Sequence, residues 1–444
     1  MLRAVPNVGK LYVLIKAKDK AAAMDRLKKE IIDEDLFSCL KDRYGKSYYG
    51  FMKSKLVPVL GNVSEDNLGM DPDTMTRLAE EINVIIHSAA LTIPEGRLEV
   101  SINTNTKGAV RALNFARKCK MLCLFLHVST AYVVGNTDGV FFERALTTPP
   151  NISAPLVDVD AEIKLASELD KSLPDDNEKA KKMKALGVER ANFYGWQNAY
   201  AFTKAMAEMQ INRMRGNIPV VIVRPSFIES SYREPFPGWI QGNRMFEPII
   251  LSYGQGHLPC FVGEANTIMD IVPVDMVVNA ILAAMAKHGI STKPELHVYN
   301  VTSSLVNPLP VRDFFEYCYF QFTRKPLLDS KGNKISLPNR IVSAYLTEKI
   351  VGKYGLQRKM SALNPEYTHQ LMRSITLARL YRHPFCNKVR FDSGNTRKLL
   401  EDMSTEEKQN FGFDVGIIDW RHYLVDIHIP SIRRRILKEP TSRI

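Results

Sequence analysis

The chain has 444 residues, 45% of them hydrophobic and 24% charged, which is enough for two domains and for a packed core. Its six cysteines (Cys39, Cys119, Cys123, Cys260, Cys318 and Cys386) show no paired spacing and no accompanying histidines. That argues against a disulfide framework and a zinc site and fits a reducing compartment. The net charge of +12 is uneven: from Val306 onward 24 Lys and Arg face 14 Asp and Glu, a balance of +10, so the basicity belongs to the C-terminal third. Such a field suits nucleic acid, anionic headgroups, a phosphate-bearing substrate or simply a solvated surface. No apolar run reaches the roughly 18 residues of a membrane span, and the N-terminus lacks the hydrophobic core of a signal peptide.

In chain order, Leu11 to Ile15 is a short apolar run that predicts a strand, followed by a helical stretch from Ala21 to about Leu40. The pattern returns at Leu56–Leu60 before Gly61-Asn62, at Val84–His87 before Ser88-Ala89-Ala90, at Leu122–Val128 before Ser129-Thr130, and at Val220–Val223 before Arg224-Pro225-Ser226. Apolar strands separated by helices indicate an α/β protein with a doubly wound parallel sheet buried on both faces. Ligands bind such sheets at the carboxyl ends of the strands. There Lys16 and Lys18 can meet a ribose 2′-phosphate, Asn62 an adenine edge, and Ser88, Ala89 and Ala90 leave room for a dinucleotide. Small or polar residues also simply end strands, so these positions argue as a set.

A polar, helix-prone insertion from Asp158 to about Val188 leads to Trp196–Met209, WQNAYAFTKAMAEM. In it Tyr200 and Lys204 stand one helical turn apart and can share a face. A cation beside a phenol lowers its pKa, as a proton donor to a reducible carbonyl requires. The spacing recurs at Tyr12/Lys16, Tyr49/Lys53 and Tyr345/Lys349, where strand, surface or helix decoration explains it better. One of the hydroxyls of Ser129 and Thr130 can hold the carbonyl oxygen beside Tyr200. Phe236-Pro237-Gly238-Trp239 reads as a rigid turn that can wall a pocket, and Ile271–Ala286 as a strand end running into a helix, with Asp270 and Asp275 as helix caps. From about Asn307 the chain turns to helices rich in Arg and Lys. Ile341–Lys353 and Thr368–Arg382 look amphipathic, and a basic run closes the chain at Ile432-Arg433-Arg434-Arg435.

The segments LYVLIKAKDK, HVSTAYVVGNTDG, YGWQNAYAFTKAMAE and VIVRPSFIESSYREPFPGW, with the stretch from Phe391-Asp392-Ser393-Gly394-Asn395-Thr396 to Trp420, carry a family resemblance. The chain resembles the alcohol-forming fatty acyl-CoA reductases, the male-sterility type of extended short-chain dehydrogenase/reductase, and most closely the plant members. The resemblance implies a Rossmann-like NADPH domain over residues 1–306 and a smaller, basic, mainly helical domain over residues 307–444. It implies a fatty acyl-CoA substrate taken to a primary alcohol through an aldehyde, for wax, suberin or pollen-wall lipid, with no nucleic acid partner. It also implies peripheral membrane contact through the basic domain, at the cytosolic face of the endoplasmic reticulum or in the plastid.

Carried over by position, Tyr200 looks like the catalytic acid and Lys204 like its partner, which also binds the nicotinamide ribose. Thr130 or Ser129 supplies the second hydrogen bond; Thr130 is preferred because it stands five positions before Gly135, the family's spacing. Asn105, in Asn-Thr-Lys-Gly, looks like the cofactor-side asparagine, and Pro225 and Ser226 would line the nicotinamide. The chain departs from the family pattern in three places. Its first residues align near the end of the helix that follows the family's first strand and glycine-rich turn, so that strand and the phosphate loop are expected to be missing, as in an N-terminally shortened form. Lys16 stands where the family usually has arginine, and Asn62 where it usually has aspartate. The competing readings are a non-catalytic remnant that keeps acyl or membrane binding, and another extended reductase or epimerase.

Overall fold

The computed structural model describes residues 1–147, 155–173, 176–258, 261–291, 293–337, 341–342, 377, 385–386 and 388–440. Its first half alternates strand and helix. β1 (Leu11–Ile15) leads to α1 (Lys20–Leu27), started by Asp19, whose carboxylate accepts from the Ala22 amide at 2.7 Å. The helix expected to run to Leu40 breaks around Asp33 and resumes as α2 (Ser38–Tyr44) and α3 (Tyr48–Lys55). β2 (Leu56–Leu60) follows, then α4 (Pro72–Glu81), with Asp71 as cap and proline in the first turn, and β3 (Val84–His87). α5 (Leu98–Ser101) continues through a widened turn at Ile102–Thr106 into α6 (Lys107–Ala116), before β4 (Leu124–Val128) and β5 (Gly139–Phe141). The insertion forms α7 (Val159–Ser172) and α8 (Asp176–Phe193), and α9 (Ala199–Met214) then leads into β6 (Val220–Pro225) and β7 (Phe227–Glu229).

The core lies on both faces of four parallel strands. With β8 (Leu296–Val301), the order is β8-β6-β4-β3. Alternation along these strands sends Leu124, Leu126, Val221, Val223, Tyr299 and Val301 to one core, and Phe125, Val220, Ile222 and Val298 to another. Burying one such aliphatic side chain contributes about 1.5–3 kcal/mol, so the paired faces fix the register firmly. β1 and β2 pair only with each other, also in parallel. The strands expected to make one sheet are therefore divided between this pair and the four-stranded sheet. Written side by side, β2-β1 and β3-β4-β6-β8 have the order of a doubly wound sheet, with the break where the order reverses.

The C-terminal segment shares the larger core. α10 (Glu247–Gly254), α11 (Val274–His288) and α12 (Val311–Arg324) pack there with Tyr423, Leu424, Ile429 and Ile432. Short strands stitch the segments together: Val389–Phe391 pairs with β5, and Leu309–Pro310 with Ile268–Met269. Buried Glu143 adds a polar tie. It accepts from the Asn300 amide at 2.6 Å and from the Thr396 hydroxyl at 2.6 Å. Of the amphipathic segments Ile341–Lys353 and Thr368–Arg382, all but Ile341, Val342 and Leu377 lie outside the described residues, as does the Tyr345/Lys349 pair.

Two expected helix caps have other duties. Asp270 accepts from the Ser303 and Ser304 amides at 2.7 and 3.0 Å, joining two strand ends. Asp275 opens α11 but accepts from the successive amides of Tyr232, Arg233 and Glu234 at 2.8–2.9 Å. It thereby anchors the loop that carries Phe236–Trp239. Gly238 in that loop has φ +81°, and a Cβ placed there would lie 1.8 Å from Ser431 Oγ. Both backbone handedness and contact therefore require glycine. Gly238→Ala is expected to cost about 2–4 kcal/mol of stability, read by urea unfolding. A change below about 0.5 kcal/mol would show that the loop gives way.

Candidate active site

Buried α9 crosses beside the carboxyl ends of β4 and β6. Asn198 starts it, its side chain accepting from the Ala201 amide at 2.9 Å, and from Ala201 to Glu208 every residue is buried. Tyr200 is half-buried at its first turn and Lys204 fully buried one turn on. The Thr130 hydroxyl neighbours the Tyr200 phenol and favours its anionic form. Thr130 also caps the turn after β4, accepting from the Tyr132 amide at 3.3 Å. The neighbouring Ser129 hydroxyl is buried and has no hydrogen-bond partner among the described residues.

The expectation that Lys204 lowers the phenol's pKa is not what the geometry shows. Burial pushes Tyr200 up to about 12, and the group that works in the other direction is Thr130. Lys204 Nζ is held instead by the Val128 carbonyl at 2.8 Å and by His127 Nε2 at 3.1 Å. Burial also brings the ammonium down to about 8, opposed by Glu208 one turn further on. Glu208 is in turn fully buried against Arg224 of β6, Oε1 to Nε at 2.9 Å and Oε2 to a terminal nitrogen at 2.5 Å.

The remaining candidates divide into open and occupied groups. Ser88 and Ala89 are exposed beyond β3, and Lys16 and Lys18 are exposed beyond β1, which leaves the strand ends accessible. Ala90 is half-buried, and Pro225 and Ser226 are buried at the end of β6. Asn62 uses its amide locally, accepting from the Ser64 amide at 3.0 Å and donating to Glu65 at 2.8 Å, so it is not aimed at an adenine edge. Asn105 is also committed to the protein. It accepts from the Leu91 amide at 2.7 Å and donates to the Leu91 carbonyl and to Thr203 Oγ1, next to Lys204. Its place is behind the site, tying the loop after β3 to α9.

The donor set fits the nicotinamide end of a dinucleotide: the Tyr200 phenol and the Thr130 hydroxyl stand together after β4, the Lys204 ammonium follows one turn along α9, and the buried Ser129 hydroxyl has no partner among the described residues. Reasoning from sequence missed four residues, His87, His127, Glu208 and Arg224. A signal for Glu208 was present, since Tyr200, Lys204 and Glu208 recur at four-residue spacing. The two histidines are paired across adjacent strands, a relation that only the register reveals.

Residues 1–281 match the NAD-binding model of the male sterility proteins, and residues 340–439 match a second model of that description. The chain is 44% identical to the chloroplastic fatty acyl-CoA reductase 2 of Arabidopsis thaliana, over 99% of this chain and 75% of that protein. It is 33% identical to the alcohol-forming fatty acyl-CoA reductase of Simmondsia chinensis, over 98% of this chain and 93% of that one. Among solved structures, the terminal R domain from the myxalamid PKS-NRPS biosynthetic pathway aligns with a TM-score of 0.60 at 16% identity, over 96% of this chain and 84% of that one. A thiolation-reductase di-domain from an archaeal non-ribosomal peptide synthetase gives 0.57 at 15% identity, over 99% and 73%. These two show the fold alone, an extended short-chain reductase fold. With 35% identity to fatty acyl-CoA reductase 1 of Arabidopsis thaliana over 99% of this chain and 94% of that protein, the chain belongs to the fatty acyl-CoA reductase family of oxidoreductases.

Proposed function

We propose that the chain reduces long-chain fatty acyl-CoA to a primary alcohol through an aldehyde, with NADPH as the reductant. The observation that carries this is the Thr130 hydroxyl beside the Tyr200 phenol at the end of β4, with the Lys204 ammonium one turn along the same buried helix. The bound nicotinamide supplies hydride to the carbonyl carbon. The Tyr200 phenol and the Thr130 hydroxyl then hydrogen-bond the thioester oxygen, where negative charge develops as the carbon becomes tetrahedral. Collapse of the hemithioacetal breaks the C–S bond and releases CoA. In the second reduction Tyr200 delivers its proton to the alkoxide. A phenol at about 12 donates poorly in the resting state and well to an alkoxide, the stronger base, so the proton moves when charge has built. Lys204 holds positive charge beside this centre, while Lys16 and Lys18 offer cations to a 2′-phosphate.

The basic C-terminal segment supports a role in holding the CoA phosphates. A cavity of about 230 Å³ there is lined by Arg324, Lys325 and Arg434 together with Gln321 and Asp426. Among the described residues no helix is long and apolar enough to cross a membrane. We place the enzyme at the cytosolic face of the endoplasmic reticulum, held by its basic surface. The plastid is the second address, favoured by the name of the 44% identical relative, and a fluorescent fusion in leaf cells separates the two.

The deciding experiment is NADPH titration of the purified chain by fluorescence, followed by incubation with a long-chain acyl-CoA and chromatography of the products. Alcohol formation supports the proposal, and release of aldehyde alone shortens it to one reduction. Neither NADPH binding nor product would favour a non-catalytic role, for which the break between β1 and β3 is the supporting observation. The pH profile gives a second check. The Lys204 ammonium is present below about 8 and lost above it, so kcat is expected to fall as pH rises through that value. A flat kcat into strongly alkaline buffer would remove Lys204 from the mechanism.

A further inference from the structure

Two histidines lie directly behind Lys204. His87 and His127 face each other in the register of β3 and β4, are buried, and stack with ring centroids 5.0 Å apart. Their Nδ1 atoms are 2.9 Å apart, and His127 Nε2 lies 3.1 Å from Lys204 Nζ. An ammonium has donors only, so His127 Nε2 must be the acceptor and the ring's proton must sit on Nδ1. That proton faces His87 Nδ1, which then carries the lone pair, and the His87 proton sits on Nε2. Burial, reinforced by the Lys204 charge, holds His87 down to about 3 and His127 well below the usual range, so both rings are neutral.

The charged and titratable groups around Lys204 are these two histidines from the sheet, Tyr200 and Glu208 on its own helix, and Arg224 of β6, which pairs with Glu208. Among the described residues no carboxylate is bonded to the ammonium. An anionic partner would hold the side chain equally well but would cancel its charge. A neutral imidazole holds it and leaves the charge intact.

We propose that His127, its tautomer fixed by His87, is a positioning residue for the reduction: it pins the Lys204 ammonium against the Val128 carbonyl as an uncancelled positive charge, leaving one N–H for the strand-end crevice. This rests on the reductase reading above. His127 touches neither substrate nor cofactor and acts only through Lys204.

The test follows the Lys204 Cε resonance against pH in the full chain labelled with ¹³C-lysine, the signal being assigned by its loss in Lys204→Met. The wild type is expected to titrate near about 8. His127→Leu removes the acceptor and should move the midpoint down by about one pH unit or more, while His127→Glu should move it up by a similar amount. His127→Gln, whose amide oxygen accepts, should restore most of the wild-type value. Turnover should follow the same order, with roughly a 10- to 100-fold loss of kcat in His127→Leu that glutamine largely rescues. An unchanged Lys204 midpoint in His127→Leu, within about 0.2 pH unit, overturns the proposal, as does a loss of turnover that glutamine does not rescue. The two readings fail separately. A chain that shows the midpoint shift but reduces no acyl-CoA overturns the reductase reading alone, and an active enzyme without the shift overturns this proposal alone.

Discussion

Tyr200→Phe is expected to lower kcat for acyl-CoA reduction by about 10³-fold while the protein stays folded. The phenol oxygen is the atom whose anionic form Thr130 favours, and phenylalanine keeps the ring while deleting the donor. Two costs fall together in the variant. One hydrogen bond to the developing oxyanion disappears, which by itself is worth about 10²–10³ in rate, and the alkoxide of the second step loses its proton source. The half-buried ring is retained, so urea unfolding should change by less than about 1 kcal/mol. Thr130→Val should cost less, because it leaves the phenol in place and removes only the neighbouring hydroxyl. Steady-state kinetics at saturating NADPH decide the matter. A Tyr200→Phe enzyme within tenfold of wild type would mean that the proton comes from elsewhere and that the strand-end triad is structural.

Arg224→Leu is expected to destabilise the fold by about 3–5 kcal/mol. Arg224 and Glu208 are both fully buried, bridging β6 to α9, and Arg224 further donates to the Arg144 carbonyl at 2.9 Å. Leucine would leave a carboxylate sealed in the core without its partner, and the cost is that of an uncompensated buried charge rather than of a lost attraction. The double variant Arg224→Leu with Glu208→Leu removes both charges and should recover most of the loss. A double variant as unstable as Arg224→Leu would assign the effect to packing instead, and chemical denaturation of the four proteins forms the cycle. Removing Glu208 should also depress Lys204 further, since Glu208 is the group that opposes burial there. The acid–base behaviour of the site is thus tied to a pair that only supports it.

The sequence by itself determined the strand–helix alternation, the parallel pairing and the helix that carries Tyr200 and Lys204. These follow from short-range causes: uninterrupted apolar runs at β4 and β6, aspartate and asparagine caps at Asp19, Asp71 and Asn198, and a four-residue spacing that one helix turn converts into a shared face. It also brought Ser129 and Thr130 forward together as strand-end hydroxyls, and the resemblance, through the spacing to Gly135, preferred Thr130. What the tertiary structure decided was who touches whom across long separations. Asn105 reads as a cofactor ligand, yet it is spent on Leu91 and on Thr203, 98 residues away. Asp275 sits where a helix cap belongs but binds a loop 41 to 43 residues earlier. Lys204, placed one turn from the phenol, turned to His127 and Val128, since a buried ammonium goes where acceptors are already fixed. Strand register put those acceptors there, and register is set by the burial of both sheet faces at once, which no local stretch of sequence encodes.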